Sequence, residues 1–198
     1  MSRAESTTHV LYLHGFRSSP GSAKSRMMAE RIARVHPAVT WWCPQLPMSP
    51  RQAMALVQQG VCDWPRERMA VIGSSLGGFY ATWLAEQSTA KAVLLNPAVH
   101  AARDLATQGG EHAAWHDPTQ RLVFEPGFVD ELRDLACGGP TQPERYYLLA
   151  AKGDEVLDWR EMVARYPGVR LQLLEASDHG ISDFADHIDT VMRFLNLA

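Results

Sequence analysis

Short apolar runs rich in β-forming residues alternate with amphipathic segments along this chain of 198 residues. The runs are continuously apolar, as expected for strands that are buried on both faces. Strands that alternate with helices and are joined by right-handed crossovers form a parallel sheet with helices on both sides. The sequence predicts six such strands, at residues 10–13, 39–43, 69–72, 92–95, 146–150 and 170–174.

Two helix signals accompany the strands. Ser49, Pro50 and Gln52 read as an N-cap, a proline at the first helical position and a capping-box glutamine. The last segment places five apolar residues on one face of a predicted helix, namely Phe184, Ile188, Val191, Met192 and Leu195. With no linker or internal repeat, the pattern predicts a single domain over residues 1–198.

One long stretch interrupts the alternation. Residues 97–126 follow a predicted strand and are only weakly periodic. In sheets of this type, long insertions after the carboxyl end of a strand commonly cover the functional site. We therefore expect residues 97–126 to form a lid or a pocket wall.

The composition narrows the class of protein. Hydrophobic residues make up 46% of the chain, charged residues make up 21%, and the formal net charge is −3. These values are ordinary for a soluble globular protein and predict neither a nucleic-acid nor an anionic-membrane partner. The N-terminus lacks the apolar region of a signal peptide, and no apolar run is long enough to span a bilayer. A cytoplasmic protein is expected.

The three cysteines support that expectation. Cys43, Cys62 and Cys137 are odd in number and widely spaced, and they form no zinc or redox pattern. Reduced thiols are the simple interpretation, and a single disulfide is the alternative.

The stretch VIGSSLGGFY, residues 71–80, places two adjacent serines between glycines. A nucleophile elbow consists of a strand, Gly-x-Ser-x-Gly and a helix, and its strained serine leaves room only for very small residues two positions away. Ser75 has Gly73 and Gly77 at those positions, whereas Ser74 has larger apolar residues there. The pattern predicts Ser75 as a nucleophile and Ser74 as a small spacer. A glycine-rich turn is the alternative.

A serine nucleophile needs a base, an acid that orients the base, and donors for an oxyanion. In a parallel sheet these groups lie at the carboxyl ends of the strands. His179 lies between the last predicted strand and the last helix, in EASDHGISDF, where an imidazole can reach that edge. We expect His179 to be the base. The alternative is a polar loop residue that caps the final helix.

The predicted acid is Asp154, which follows the strand in RYYLLAAKGDEV. The order Ser75, Asp154, His179 is the chain order of a triad built on a Gly-x-Ser-x-Gly elbow. A turn aspartate is the alternative interpretation. Three nearby carboxylates are rivals for the role: Glu155, Asp158 and Asp178.

The oxyanion donors are sought at the end of the first strand and at the elbow. In VLYLHGF, Gly15 permits a sharp turn that can aim the Phe16 backbone N–H at the site. The Leu76 N–H begins the elbow helix and is the second candidate. His14 is then a structural residue that ties the loop down. The alternative is a simple strand-ending glycine.

A metal site is a further alternative for the histidines. His112 and His116 are four residues apart and would share a face if that segment were helical. No third ligand of clear spacing accompanies them. We expect no metal and no organic cofactor.

Several segments occurring together and in order resemble the bacterial YqiA-type esterases. They are LYLHGFRSSPGSAKS, PQLP, VIGSSLGGFYATWL, NPAV, GDEVLDWRE and SDHGISDF, and the likeness runs over residues 11–195. The resemblance implies a triad of Ser75, Asp154 and His179, with Phe16 and Leu76 as oxyanion donors. It also implies hydrolysis of short acyl esters, with acyl-CoA thioesters as an open second class. Residues 101–126 match no family motif, and we expect substrate choice to depend on them.

This family has the α/β-hydrolase fold. We therefore expect a compact three-layer sandwich around a six-stranded, mainly parallel sheet of order 2-1-3-4-5-6, with Ser75 after the third strand. The first predicted strand already carries the oxyanion loop, so the usual N-terminal antiparallel strands are expected to be missing.

Three basic residues after the oxyanion loop are candidates for substrate binding. Arg17, Lys24 and Arg26 could hold the phosphates of an acyl-CoA, and a solvated helix face is the simpler interpretation. Acyl transfer and peptide cleavage on the same triad are alternative activities. A non-catalytic binding protein of the same fold is the alternative from another class.

Overall fold

The predicted strands form one parallel sheet in the computed structural model, which describes residues 6–197. In chain order the strands are β1 (His9–Leu13), β2 (Thr40–Trp42), β3 (Met69–Ser74), β4 (Lys91–Leu95), β5 (Gly110–Ala113), β6 (Arg121–Phe124), β7 (Tyr146–Ala151) and β8 (Arg170–Leu174). The sheet has the order β2-β1-β3-β4-β7-β8, and every neighbouring pair is parallel. This is the predicted order, in which the fifth and sixth predicted strands are β7 and β8.

The helices alternate with these strands. They are α1 (Ala23–Val35), α2 (Pro50–Gly60), α3 (Leu76–Glu86), α4 (Ala101–Asp104), α5 (Phe128–Asp134), α6 (Trp159–Arg165) and α7 (Ile188–Phe194). The predicted start of α2 is confirmed, because the Ser49 side chain accepts a hydrogen bond from the Gln52 N–H at 3.2 Å and Pro50 occupies the first helical position.

Successive residues of the central strands point into two different hydrophobic layers. From β1, Leu11 and Leu13 pack with α2 and α3, whereas Val10 and Tyr12 pack with α1 and α7 on the opposite face. All four side chains are fully buried, as the continuous apolar runs in the sequence predict. The predicted three-layer α/β fold is confirmed.

Two features differ from the sequence-based expectation. Strands β5 and β6 form a separate antiparallel hairpin within residues 97–126, where no strand is predicted. The predicted final helix begins later than expected, because residues Phe184–Asp186 form a short 3₁₀ turn and α7 starts at Ile188. Its apolar face is nevertheless buried against the sheet as expected.

The ends and surface of the chain add few constraints. Residues 1–5, on which the expectation about a signal peptide partly rests, lie outside the described residues. Within residues 6–197 no strand precedes β1, and no helix has the length and apolar character to cross a membrane. Each of the three cysteines in that range is a free thiol.

Candidate active site

Ser75 occupies a strained corner between β3 and α3. Its backbone has φ 55° and ψ −121°, a conformation that residues other than glycine rarely adopt. A Cβ atom added at Gly73 would lie 2.2 Å from the Gly77 carbonyl oxygen. One added at Gly77 would lie 1.9 Å from the Leu13 carbonyl oxygen. The two glycines are therefore required for this close approach of strands and helix. Ser74 is the last residue of β3.

His179 lies in the loop after β8 and reaches Ser75. Its Nε2 is 3.1 Å from Ser75 Oγ, and its Nδ1 is 2.8 Å from Asp154 Oδ2. A carboxylate only accepts hydrogen bonds, so Nδ1 carries the proton and Nε2 is free to accept from the serine hydroxyl. The His179 side chain is 21% exposed, which leaves the pair open to a small molecule.

Asp154 is held in place by the turn that follows β7. Its side chain is fully buried, and its Oδ1 accepts hydrogen bonds from the backbone N–H groups of Val156 and Leu157, both at 2.8 Å. These two donors fix the orientation of the carboxylate, and the second oxygen is left for the imidazole. The sequence position of Asp154 after a strand thus places it beside His179.

The rival carboxylates have other partners. Asp158 is the N-cap of α6 and accepts from the Arg160 N–H at 2.9 Å. Glu155 accepts from the backbone N–H of His179 at 3.1 Å, away from the ring. Asp178 accepts from the Ser182 N–H at 3.0 Å.

The loop after β1 passes directly beside Ser75. A Cβ atom added at Gly15 would lie 3.1 Å from Ser75 Cβ and 3.6 Å from Ser75 Oγ. The next residue, Phe16, and the first residue of α3, Leu76, both line cavities at Ser75. In the part of the chain that the structure describes, no hydrogen bond is donated by the backbone N–H of either residue. Both donors are therefore available to an oxyanion.

His14 holds this loop in position, as expected from the sequence. It is almost fully buried, its Nε2 accepts from the Leu46 N–H at 3.1 Å, and its Nδ1 donates to the Gly15 carbonyl at 3.0 Å. Burial lowers the pKa of His14, so the ring stays neutral and serves both partners.

Two cavities meet at Ser75 and His179. The larger, which we call the apolar cavity, has a volume of about 570 Å³. It is named for its aliphatic lining, which includes Leu76, Ala98, Ala101, Leu105, Val156 and Leu157, and it is also lined by Arg17, Asp104, Gln108 and Glu155. The smaller, which we call the polar cavity, has a volume of about 270 Å³. The polar side chains that distinguish it are Tyr12, His14, Ser18, Ser22, Lys24 and Ser74. Phe16 and Trp115 border both cavities.

Residues 97–126 contribute to the wall of the apolar cavity. The hairpin is attached to the loop after β1, because the Trp115 N–H donates to the Arg17 carbonyl at 3.0 Å and Arg17 Nε donates to the Ala113 carbonyl at 2.8 Å. Phe16 makes an edge contact with Phe124 of β6. The segment thus connects the predicted oxyanion loop to the cavity wall.

The three predicted basic residues do not share one surface. Arg17 lines the apolar cavity, and its guanidinium lies 4.1 Å from the Trp115 ring centre. Lys24 lines the polar cavity, and its ammonium donates to the Gly180 carbonyl. Arg26 is exposed on α1 and lines neither cavity.

Asn96 is a structural residue of the site that the sequence reasoning did not single out. It is fully buried after β4, and its Nδ2 donates to the carbonyls of Asp178 and His179 at 2.9 and 3.1 Å. Its Oδ1 accepts from the Ala151 N–H at 2.7 Å. One side chain therefore ties the His179 loop to the end of β7, from which Asp154 follows. The signal was an asparagine directly after a buried strand.

The alternative metal site has no counterpart among residues 6–197. No group of three or more His, Cys, Asp or Glu side chains there could hold a metal ion. His112 lies on β5 and pairs with the Gln108 carbonyl at 2.6 Å.

The chain matches a known protein family over nearly its whole length. The model of an uncharacterised protein family, UPF0227, matches residues 9–196. The chain belongs to this family. The match covers nearly the whole chain and confirms the family resemblance inferred from the sequence motifs.

Solved structures share the fold. A crystal structure from Agrobacterium vitis S4 superposes with a TM-score of 0.74 at 15% identity, over 96% of this chain and 91% of that one. A structure reported for the metagenome-derived lipolytic enzymes LipS and LipT gives 0.68 at 19% identity, over 98% and 95%. Mouse alpha/beta hydrolase domain-containing protein 10 gives 0.67 at 16% identity, over 98% and 92%. At these identities the likeness establishes the α/β-hydrolase fold, and function depends on the site.

Proposed function

We propose that the protein is a serine hydrolase that cleaves carboxylic esters, with Ser75 as nucleophile, His179 as base and Asp154 as the acid that orients the base. The observation that carries the proposal is the hydrogen-bonded chain from Asp154 through His179 to Ser75. Ser75 also has the positive φ of a nucleophile elbow. A purely structural serine would need neither the strain nor the partners.

The proposed reaction has two halves. His179 Nε2 takes the Ser75 proton as Oγ attacks the acyl carbonyl, and Asp154 stabilises the imidazolium that forms. The proton then passes to the leaving alcohol, and an acyl-serine remains. A water molecule, deprotonated by His179, attacks that acyl group; the acid is released as Ser75 Oγ leaves and regains the proton from His179.

The negative charge that develops on the carbonyl oxygen needs donors already in place. The N–H groups of Phe16 and Leu76 are proposed to hold it, and the amino end of α3 adds a partial positive charge. The support is that both groups border Ser75 and that neither donates a hydrogen bond within the described chain.

The apolar cavity favours an apolar group on one side of the ester. Its volume suits a short acyl chain or a small aromatic group, and one structural neighbour is described as a lipolytic enzyme. Hydrolysis of acyl-CoA thioesters stays a prediction, because Arg17, Lys24 and Arg26 lie apart.

The test is hydrolysis of p-nitrophenyl butyrate by the wild type, Ser75→Ala and Ser74→Ala. We expect Ser75→Ala to lose turnover by a factor of about 10⁴ or more, by analogy with serine proteases. Ser74→Ala should keep substantial activity, because Ser74 lies outside the hydrogen-bonded chain. Wild-type turnover in Ser75→Ala, or loss of activity only in Ser74→Ala, would contradict the proposal.

A further inference from the structure

The polar cavity contains polar groups that the proposed reaction does not use. It adjoins Ser75 and His179, so any group bound there lies next to the scissile bond. Three features of its wall are suited to a negative charge: the Tyr12 hydroxyl, the first turn of α1 and the Lys24 ammonium.

The Tyr12 hydroxyl is buried without a partner. Tyr12 lies on β1, none of its surface is exposed, and its hydroxyl makes no hydrogen bond in the structure. Burial is the main cause that raises the pKa of Tyr12, and contacts with the hydroxyls of Ser74 and Ser22 oppose that shift, although neither contact has full hydrogen-bond geometry. A buried phenol without a partner is unfavourable, and phenylalanine would fill the same space. Tyr12 lines the cavity, so its hydroxyl lies at the wall with hydrogen-bonding capacity that is not fully used.

The amino end of α1 is similarly unpaired. Ser22 is the N-cap of this 13-residue helix, yet its side chain makes no capping hydrogen bond and its Oγ is buried without a partner. The first turn contains no acidic residue. Ser22, Ala23 and Lys24 all line the cavity, so the positive end of the helix dipole lies at its wall.

Lys24 supplies a full positive charge. Its ammonium donates one hydrogen bond to the Gly180 carbonyl and has two further protons to donate. Lys24 is the single Lys or Arg among the lining residues, which include no Asp or Glu, although the carboxylates of Asp178 and Asp154 behind the wall also act on its charge. One ammonium with two neutral hydroxyls matches a group of charge −1 better than a phosphate dianion, for which an arginine fork is the usual partner.

We propose that the polar cavity binds a carboxylate of the substrate, so that the preferred esters carry a carboxylate a few bonds from the scissile carbonyl. The proposal rests on the proposed esterase function and specifies its substrate class. The carboxylate can belong to the acyl part, as in a monoester of a dicarboxylic acid, or to the alcohol part.

Two matched substrate pairs separate these sources. For the acyl part, p-nitrophenyl hemiglutarate is compared with its neutral methyl ester. For the alcohol part, the butyrate ester of m-hydroxybenzoate is compared with that of methyl m-hydroxybenzoate. In at least one pair the charged ester should have the higher kcat/KM by about tenfold or more, as expected for a charge-assisted hydrogen bond. An equal or lower value in both pairs would overturn the proposal and would indicate a cavity that holds water only.

The preference should depend on named side chains. Lys24→Met should abolish it, and Ser22→Ala and Tyr12→Phe should each reduce it. Arg34→Met is the matched control, because Arg34 is exposed in the last turn of α1, about 15 Å along the helix, and should keep the preference. A preference that survives Lys24→Met would also overturn the proposal.

Binding of glutarate to Ser75→Ala, measured by calorimetry, keeps the two proposals distinguishable. If the wild type hydrolyses no ester of either kind, the esterase function fails while the cavity is still testable. Glutarate binding that disappears in Ser75→Ala/Lys24→Met would then support the carboxylate site, and no binding to Ser75→Ala would overturn it.

Discussion

Asp154 and Asp158 are four residues apart, and their different contacts predict different mutant phenotypes. Asp154 pairs with the His179 ring, whereas Asp158 caps α6. Asp154→Asn should fold normally and lose turnover by about 10⁴, because an amide no longer fixes the imidazole tautomer. Asp158→Ala should lose about 1 kcal/mol of stability and keep its turnover.

Thermal melting and ester turnover on both variants distinguish the two roles. The reverse pattern, with an inactive Asp158→Ala and an active Asp154→Asn, would move the acid to Asp158.

Lys24 should make substrate selectivity depend on pH. Burial is the main cause that lowers the pKa of its ammonium to about 8, and the Asp154 and Asp178 carboxylates oppose that shift. Tyr12, His14 and His179 also face the cavity. Because the anion needs the protonated form, the preference for charged esters should be present below this pKa and lost as pH rises through it.

The measurement is the ratio of kcat/KM for the charged and neutral esters from about pH 7 to about pH 9, around this pKa. Dividing one value by the other cancels any effect of pH on the catalytic steps that both substrates share. A ratio that does not fall, or that falls equally in Lys24→Met, would contradict this role of Lys24.

The packing of α3 against strands β3 and β1 depends on glycines, which have no Cβ atom. In Gly77→Val, the new Cβ would lie 1.9 Å from the Leu13 carbonyl oxygen of the neighbouring strand β1, and backbone cannot give way as a side chain does. We expect a lower melting temperature, poor expression and loss of turnover in this variant.

Gly138→Val is the matched control, because nothing lies within 4 Å of a Cβ atom added there. It should express and melt much like the wild type. A Gly77→Val variant that does the same, with normal turnover, would refute the close-contact explanation of the elbow.

The hairpin β5–β6 was missed because its signal is weak. Each strand has only four residues, and exposed Val123 breaks the alternation of polar and apolar residues in β6. The turn signal was present, since Asp117 Oδ1 accepts from the Thr119 N–H at 2.9 Å next to Pro118. The hairpin is held by tertiary contacts, such as that between Phe16 and Phe124, which local patterns do not report.

For the whole molecule, topology explains what the sequence could predict. A parallel sheet brings the ends of its strands to one edge, so loops after β1, β3, β7 and β8 bring Phe16, Ser75, Asp154 and His179 together. The linking of Asn96 to the His179 loop and the position of Lys24 beside Gly180 depend on distant elements packing together. These contacts could not be predicted from the sequence and are seen only in the structure.

We propose that one serine, Ser75, is activated as a nucleophile by the rest of the fold. The most direct measurement is labelling of the wild-type protein with a fluorophosphonate probe, followed by peptide mapping of the modified residue. One adduct per chain on Ser75, lost in Ser75→Ala and greatly slowed in His179→Ala, is the predicted result. No adduct, or an adduct on Ser74 or another residue with Ser75 unmodified, would contradict the account.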